Sequence, residues 1–212
     1  RGVGDEGLFL ASRGRIIAVA RDGDAVAGAG KLSGFAKHPV PALTDDGTIA
    51  FVAAVAGGRA VEGLFTARNG RVRPVVLSGS AAPGFAAGVL AAVDAPALNG
   101  RGDIAFLATV RRGRENVEAI FVSAAGRVQK VVAQGDPAPA GGTFAGFGPP
   151  ALNQDGTVAF GAAVEGKAVH DLPASDELGE RIARLLAEGP VEDLTVEDPP
   201  LEEVMRGFFA RP

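Results

Sequence analysis

At 212 residues, 47% of them apolar, the chain has material for one large domain, or a domain and a half, with a real core. A net charge of −4 with both signs interspersed offers no basic patch to nucleic acid or an anionic membrane, and no apolar run reaches the roughly 18 residues of a bilayer span. The absence of Cys excludes disulfides, thiolate zinc sites and cysteine nucleophiles, and leaves the compartment open.

The chain opens "RGVGDEGLFL" without a Met, the only one being Met205, which reads as a fragment or a processed product. From Gly7, "GLFLASRGRIIAVA" predicts two short strands, from Leu8 and from Arg15, around an Arg-Gly turn. Next comes "AGAGKLSG", residues 27–34, which has the look of a phosphate-binding loop. The G-x-x-x-x-G-K-[ST] pattern fails, since Ala25 stands where the first Gly belongs and Leu32 where the magnesium-binding hydroxyl belongs. Lys31-Leu32-Ser33-Gly34-Phe35 aligns instead with Thr143-Phe144-Ala145-Gly146-Phe147, so the stretch reads as a loop between repeats.

From Pro41, "PALTDDGTIAFVAAV" predicts a short strand, a Gly-containing turn and an apolar strand too short for a helix. From Gly63, "GLFTARNGRVRPVVL" predicts a hairpin joined by Asn69-Gly70. Both patterns return. "PALNGRGDIAFLATV" starts at Pro96 and "PALNQDGTVAFGAAV" at Pro150, while "GLFLAS", "GLFTAR" and "AIFVSA" start at Gly7, Gly63 and Ala119. Two interleaved motif sets sharing one period of roughly 55 residues define a repeat.

Four short antiparallel strands recurring roughly every 54–56 residues are the pattern of a propeller blade. The 31 Gly, 14 Pro and 12 Phe, without Tyr or Trp, suit it. The fold expected over residues 1–172 is mainly β: a partial β-propeller of half a blade, two full blades beginning at Pro41 and Pro96, and half a blade from Pro150. "GLFLAS" and "TVAFGAAV" would then be open edges, prone to self-association. The Ala of each "[IV]AF" triplet (Ala50, Ala105, Ala159) would let neighbouring sheets approach. Phe9, Phe51, Phe65, Phe106, Phe121 and Phe160 would fill the space between them.

Beyond residue 172 the period turns helical. Ser175 caps "SDELGERIARLLAEG", with Leu178, Ile182, Leu185 and Leu186 on one face; "PVEDLTVE" reads as a strand, and Asp198-Pro199 opens a second helix through Phe208. Residues 173–212 are therefore expected to form an α-β-α appendage.

Chemistry-bearing candidates are few. His38 and His170 support no triad, and His38 reads as a solvated loop residue. The turn residues Asp45, Asp46, Asp103 and Asp155 lack calcium-loop spacing and read as caps of their own turns. Asp24 and Asp136, in the equivalent "GDAVAG" and "GDPAPAGG", are candidates for a ligand-binding rim. No catalytic, cofactor-binding or metal-binding residue is assigned.

With its "PALN–x–x–G–x–VAF" and "GIF–x–x–x–x–G–x–V"-like motifs, the segment 7–172 resembles uncharacterised bacterial β-propeller repeat proteins, which implies a propeller, frequently exported or periplasmic, with no known activity. The tail, "GPVEDLTVEDPPLEEVMRGFFA", is similar to the extreme C-terminus of drug-export-type ABC transporter ATPase subunits, which implies a cytoplasmic setting. That family's ATP-binding motifs are missing here, the signature stopping at Leu32-Ser33-Gly34 before Phe35. The function expected is a non-catalytic binding or scaffolding module for an unknown protein or small ligand at the loop rim. The alternative is an accessory C-terminal segment of an ABC ATP-binding subunit lacking its ATPase core; a propeller hydrolase is a third reading, for which no acids or metal site are found.

Overall fold

Frequent Gly turns cut the chain into short extended segments, and the described residues of the computed structural model (6–35, 40–139, 141–166 and Arg184) are mainly β. The first hairpin pairs β1 (Gly7–Ser12) with β2 (Arg15–Arg21). A larger sheet follows from β3 (Ala25–Val26), β4 (Gly30–Gly34), β5 (Ala42–Leu43), β6 (Ile49–Ala56), β7 (Glu62–Arg68) and β8 (Arg71–Leu77), in the order β3-β4-β6-β7-β8 with β5 on β6. The next repeat is a plain antiparallel meander of β9 (Val89–Leu98), β10 (Ile104–Arg112), β11 (Glu115–Ala124) and β12 (Arg127–Ala133). Finally β13 (Thr143–Phe147) pairs with β16 (Ala162–Glu165), and β14 (Ala151–Leu152) with β15 (Val158–Ala159).

The single strand β9 spans what appears as β4 plus β5 and as β13 plus β14 in the flanking repeats. "PAL" is therefore the end of the first strand and not its start, so the sheets begin at Gly30, Val89 and Thr143 and not at the prolines. The stretch expected as a loop between repeats, Lys31–Gly34, belongs to β4 and pairs with β6. Residue type explains the difference. Gly30, Lys31, Ser33 and Gly34 carry no β-propensity of their own, and only Leu32, fully buried, reports the strand.

Irregularities recur with the repeat. The third and fourth strands of each unit slip register at one position, leaving Val19, Val75 and Val131 as bulges, one in each repeat. The first and second strands slip likewise at Ser33, Ala91 and Ala145. Pro74 sits beside one such bulge on β8, which among the described residues pairs only with β7, a place where a strand tolerates a missing N–H.

Packing follows strand alternation. One face of β6 and β7 puts Phe51 and Phe65, cross-strand partners with ring centroids 5.7 Å apart, into a core shared with Ala20 and Leu8 of the first hairpin. The other face contributes Ala50, Val52 and Leu64 to a second core, filled from the next sheet by Phe106 and Phe121, again cross-strand partners at 5.6 Å. Small residues thus face the neighbour's phenylalanines. Ala50 and Ala105 are fully buried, as the triplet pattern anticipated.

Two fillers depart from it. Phe9 is 58% exposed, because β1 has no partner but β2 among the described residues and so lacks the facing Phe that Phe51 and Phe106 supply elsewhere. Phe160 is half-buried and Ala159 exposed, in a sheet to which no described third or fourth strand is added. "TVAFGAAV" also breaks into β15 and β16: Gly161 replaces Val52 and Leu107 of the other repeats, and glycine weakens a strand interior.

The chain divides into two compact units, Arg1–Lys167 and Ala168–Pro212. The expected α-β-α appendage at 173–212 lies outside the described residues except for Arg184, which is helical. No helix among the described residues is long and apolar enough to cross a membrane.

Candidate functional site

The turns that precede β6, β10 and β15 are each closed by a side-chain oxygen. Asn99 Oδ1 accepts from the N–H groups of Arg101 and Asp103, each at 3.0 Å, and Asn153 Oδ1 from those of Asp155 and Thr157. In the earliest repeat Thr44 stands at this position and Asp46 takes over, Oδ1 accepting from Thr44 Oγ1 at 2.6 Å and from the Thr48 N–H at 3.0 Å. These bonds, the Thr44 hydroxyl foremost and Arg68 least, hold the Asp46 carboxyl down at about 2. So the turn-capping expected of four aspartates falls to Asp46 alone, while Asn99 and Asn153 provide it elsewhere. Asn serves as well as Asp because the cap needs only one side-chain oxygen two residues upstream of the N–H.

Asp24 and Asp136 occupy equivalent turns two repeats apart. Each carboxylate closes its own turn: Asp24 Oδ2 accepts from the Arg21 N–H at 2.8 Å, and Asp136 Oδ2 from the Ala133 N–H at 2.9 Å. Asp136 also pairs with Lys130 at 3.0 Å. Their backbones lock onto the next first strand, at Leu32 and at Phe144, and Ser80 does the same at Leu90 with no carboxylate. The structure gives each of them a turn role and does not bring them into one site. His38 and His170 lie outside the described residues, and among those described no three His, Asp or Glu side chains gather around a point.

A set of residues that sequence reasoning missed joins the sheets. Glu6, Glu62 and Glu118 stand one repeat apart, each just before its "GLF" or "AIF" motif. Their carboxylates accept the backbone N–H of Phe35 at 2.7 Å, Val93 at 2.9 Å and Phe147 at 3.3 Å. Each of those N–H groups lies just past the recurring first-strand bulge, Val93 and Phe147 within the following sheet and Phe35 directly after β4. The signal was available as a third periodic position, Glu at the same offset in all three repeats.

One concavity among the described residues is an open cleft of about 630 Å³. The β7–β8 hairpin supplies Arg68, Arg71 and Arg73, and the turn after β9 supplies Arg101. Arg68 and Arg71 are directly opposite across the hairpin, and Arg73 lies two positions beyond Arg71, hence on the same face. Arg68 pairs with Asp46 at 3.0 Å and Arg101 with Asp103 at 3.1 Å. Arg71 and Arg73 have no carboxylate partner among the described residues. Neutral hydroxyls and amides, from Thr44, Thr48, Thr66, Asn69 and Asn99, complete the lining.

No curated protein and no solved structure matches the chain significantly. A family match does cover most of it, taking in both complete repeats and the half-repeats on either side. On that match, over residues 1–180, the chain belongs to the Family of unknown function (DUF7453).

Proposed function

We propose that the chain is a non-catalytic binding or scaffolding module of β-propeller type. The observation that supports this reading is the repeated joint. Successive sheets are linked by the same glutamate at the same offset, across the same bulge. A constant step between four-stranded meanders is how blades are set around an axis. The side chains that recur most clearly have packing or joining roles: Phe51, Phe65, Phe106 and Phe121 in the cores, and Glu6, Glu62 and Glu118 between sheets.

The strands among the described residues amount to fewer than the roughly 4–8 blades that close a ring. Among the described residues β1 pairs only with β2, and β16 only with β13. Such edges template pairing with another chain. A head-to-tail dimer in which each incomplete sheet is finished by the partner would give a ring of about six blades. Light scattering at micromolar concentration should show a dimer or larger species. A stable monomer would refute the edge-completion part of the proposal. The non-catalytic part is checked separately: the purified chain should not hydrolyse ATP, and magnesium-dependent ATP binding that is lost in Lys31→Ala would overturn it.

A further inference from the structure

We propose that the cleft between the β7–β8 hairpin and the turn after β9 is a binding site for a small, hydrophilic oxyanion carrying at least two negative charges. This gives the binding reading a ligand class, and it does not depend on ring closure.

The first argument is electrostatic. Like charges directly opposite each other on an antiparallel pair are destabilising, yet Arg68 faces Arg71, and Arg73 follows on the same face. Arg101 approaches from the next repeat. Two carboxylates, Asp46 and Asp103, answer these four cations, and both are committed to Arg68 and Arg101. Arg71 and Arg73 remain as two guanidinium forks on one strand face, without an anion among the described residues. In a chain of net charge −4, an uncompensated cationic cleft calls for a ligand of opposite sign.

The second argument is that the repeat does not require the cluster. Arg71 recurs as Arg15 and Arg127, but the counterparts of Arg68 are Ser12 and Ala124, those of Arg73 are Ile17 and Gln129, and those of Arg101 are Asp46 and Asp155. The same turns and hairpins form without these arginines. Only at this junction do all four coincide.

The lining then selects the ligand. Planar guanidinium groups match phosphoryl and carboxylate oxygens two at a time. The threonine hydroxyls and asparagine amides suit a hydroxyl-bearing skeleton, whereas among the described residues no aromatic ring lines the cleft on which a nucleobase could stack. A volume of about 630 Å³ falls within the range of small-molecule sites.

Titration calorimetry on the full chain at low ionic strength, with pyrophosphate in one arm and citrate in the other, tests the proposal and separates phosphoryl from carboxylate chemistry. Saturable binding in either arm is expected. Arg71→Gln/Arg73→Gln should weaken it by roughly tenfold or more, since each lost charge-assisted bond is large on the affinity scale. Arg127→Gln, the equivalent exposed position one repeat on, should leave it unchanged. Both variants should keep the wild-type circular dichroism and melt no lower than wild type, and the charge-preserving Arg71→Lys/Arg73→Lys should retain part of the affinity. No binding in either arm, equal binding by the double glutamine variant, or an equal loss in Arg127→Gln would overturn the inference. None of these outcomes bears on the assembly state, which light scattering reads separately.

Discussion

Asp46 shows how one side chain can serve a turn and a site together. It caps the Thr44–Thr48 turn through Oδ1 and pairs with Arg68 through Oδ2, and its carboxyl is held at about 2 against an ordinary 3.8. A carboxyl lowered in the folded state stabilises fully above its unfolded value and loses that contribution as pH falls through the folded one. The window for Asp46 therefore runs from about pH 4 down to about pH 2. Thermal melts across that range should fall less steeply for Asp46→Asn than for wild type. A curve parallel to that of wild type would show that the acid sensitivity resides in other carboxylates. That some aspartate caps this turn was legible from "TDDGT"; which of Asp45 and Asp46 does so was not, because adjacent side chains differ only in the direction the folded turn gives them.

At the scale of the element, the hairpins are the most completely determined pieces. The three that join a third strand to a fourth (β1–β2, β7–β8 and β11–β12) use a two-residue turn with both residues left-handed: Arg13-Gly14 at φ 48° and 76°, Asn69-Gly70 at 50° and 72°, Ala125-Gly126 at 50° and 75°. Only the middle copy places Asn at the first position, the residue type that tolerates this backbone best. Ala125→Asn should therefore stabilise the chain by about 0.5–1 kcal/mol, read as a raised denaturation midpoint with an unchanged slope. No gain would mean that the Ala125 turn relaxes to another type in solution. First strands were less legible. β4 and β13 each carry a bulge, and β4, with Gly at both ends, is a strand because the second strand beside it offers hydrogen-bonding groups, not because of its own residues.

At the scale of the whole repeat unit, cohesion rests on apolar cores between sheets and on the glutamate joints that bridge them. Glu62 reaches across to the N–H of Val93, a residue only 1% exposed, and is itself fixed from behind by Ser78, whose Oγ accepts the Val61 and Glu62 N–H groups. Removing the carboxylate leaves a buried donor unpaired. Glu62→Ala should cost about 2 kcal/mol by chemical denaturation, and Glu62→Gln, which keeps an acceptor oxygen, should cost clearly less. Equal losses in the two variants would show that charge, not the hydrogen bond, carries the joint.

Composition, turn chemistry and a repeat period of roughly 55 residues by themselves determined that this protein is mainly β, that a hairpin turns at Asn69-Gly70, and that Phe51, Phe65, Phe106 and Phe121 are buried with Ala50 and Ala105. Those choices depend on neighbours close in the chain or on strict alternation. Tertiary structure alone decided the rest. It joined "PAL" to the strand before it, left Phe9 and Phe160 without full cover, and made Glu6, Glu62 and Glu118 into joints to residues 29 to 31 positions away. It also brought Arg101 to the three arginines of a hairpin in the preceding repeat. An isolated arginine or glutamate in a sequence reads as a solvated charge. Its role appears only once packing has placed another repeat's backbone or side chains beside it, and no local pattern encodes that proximity.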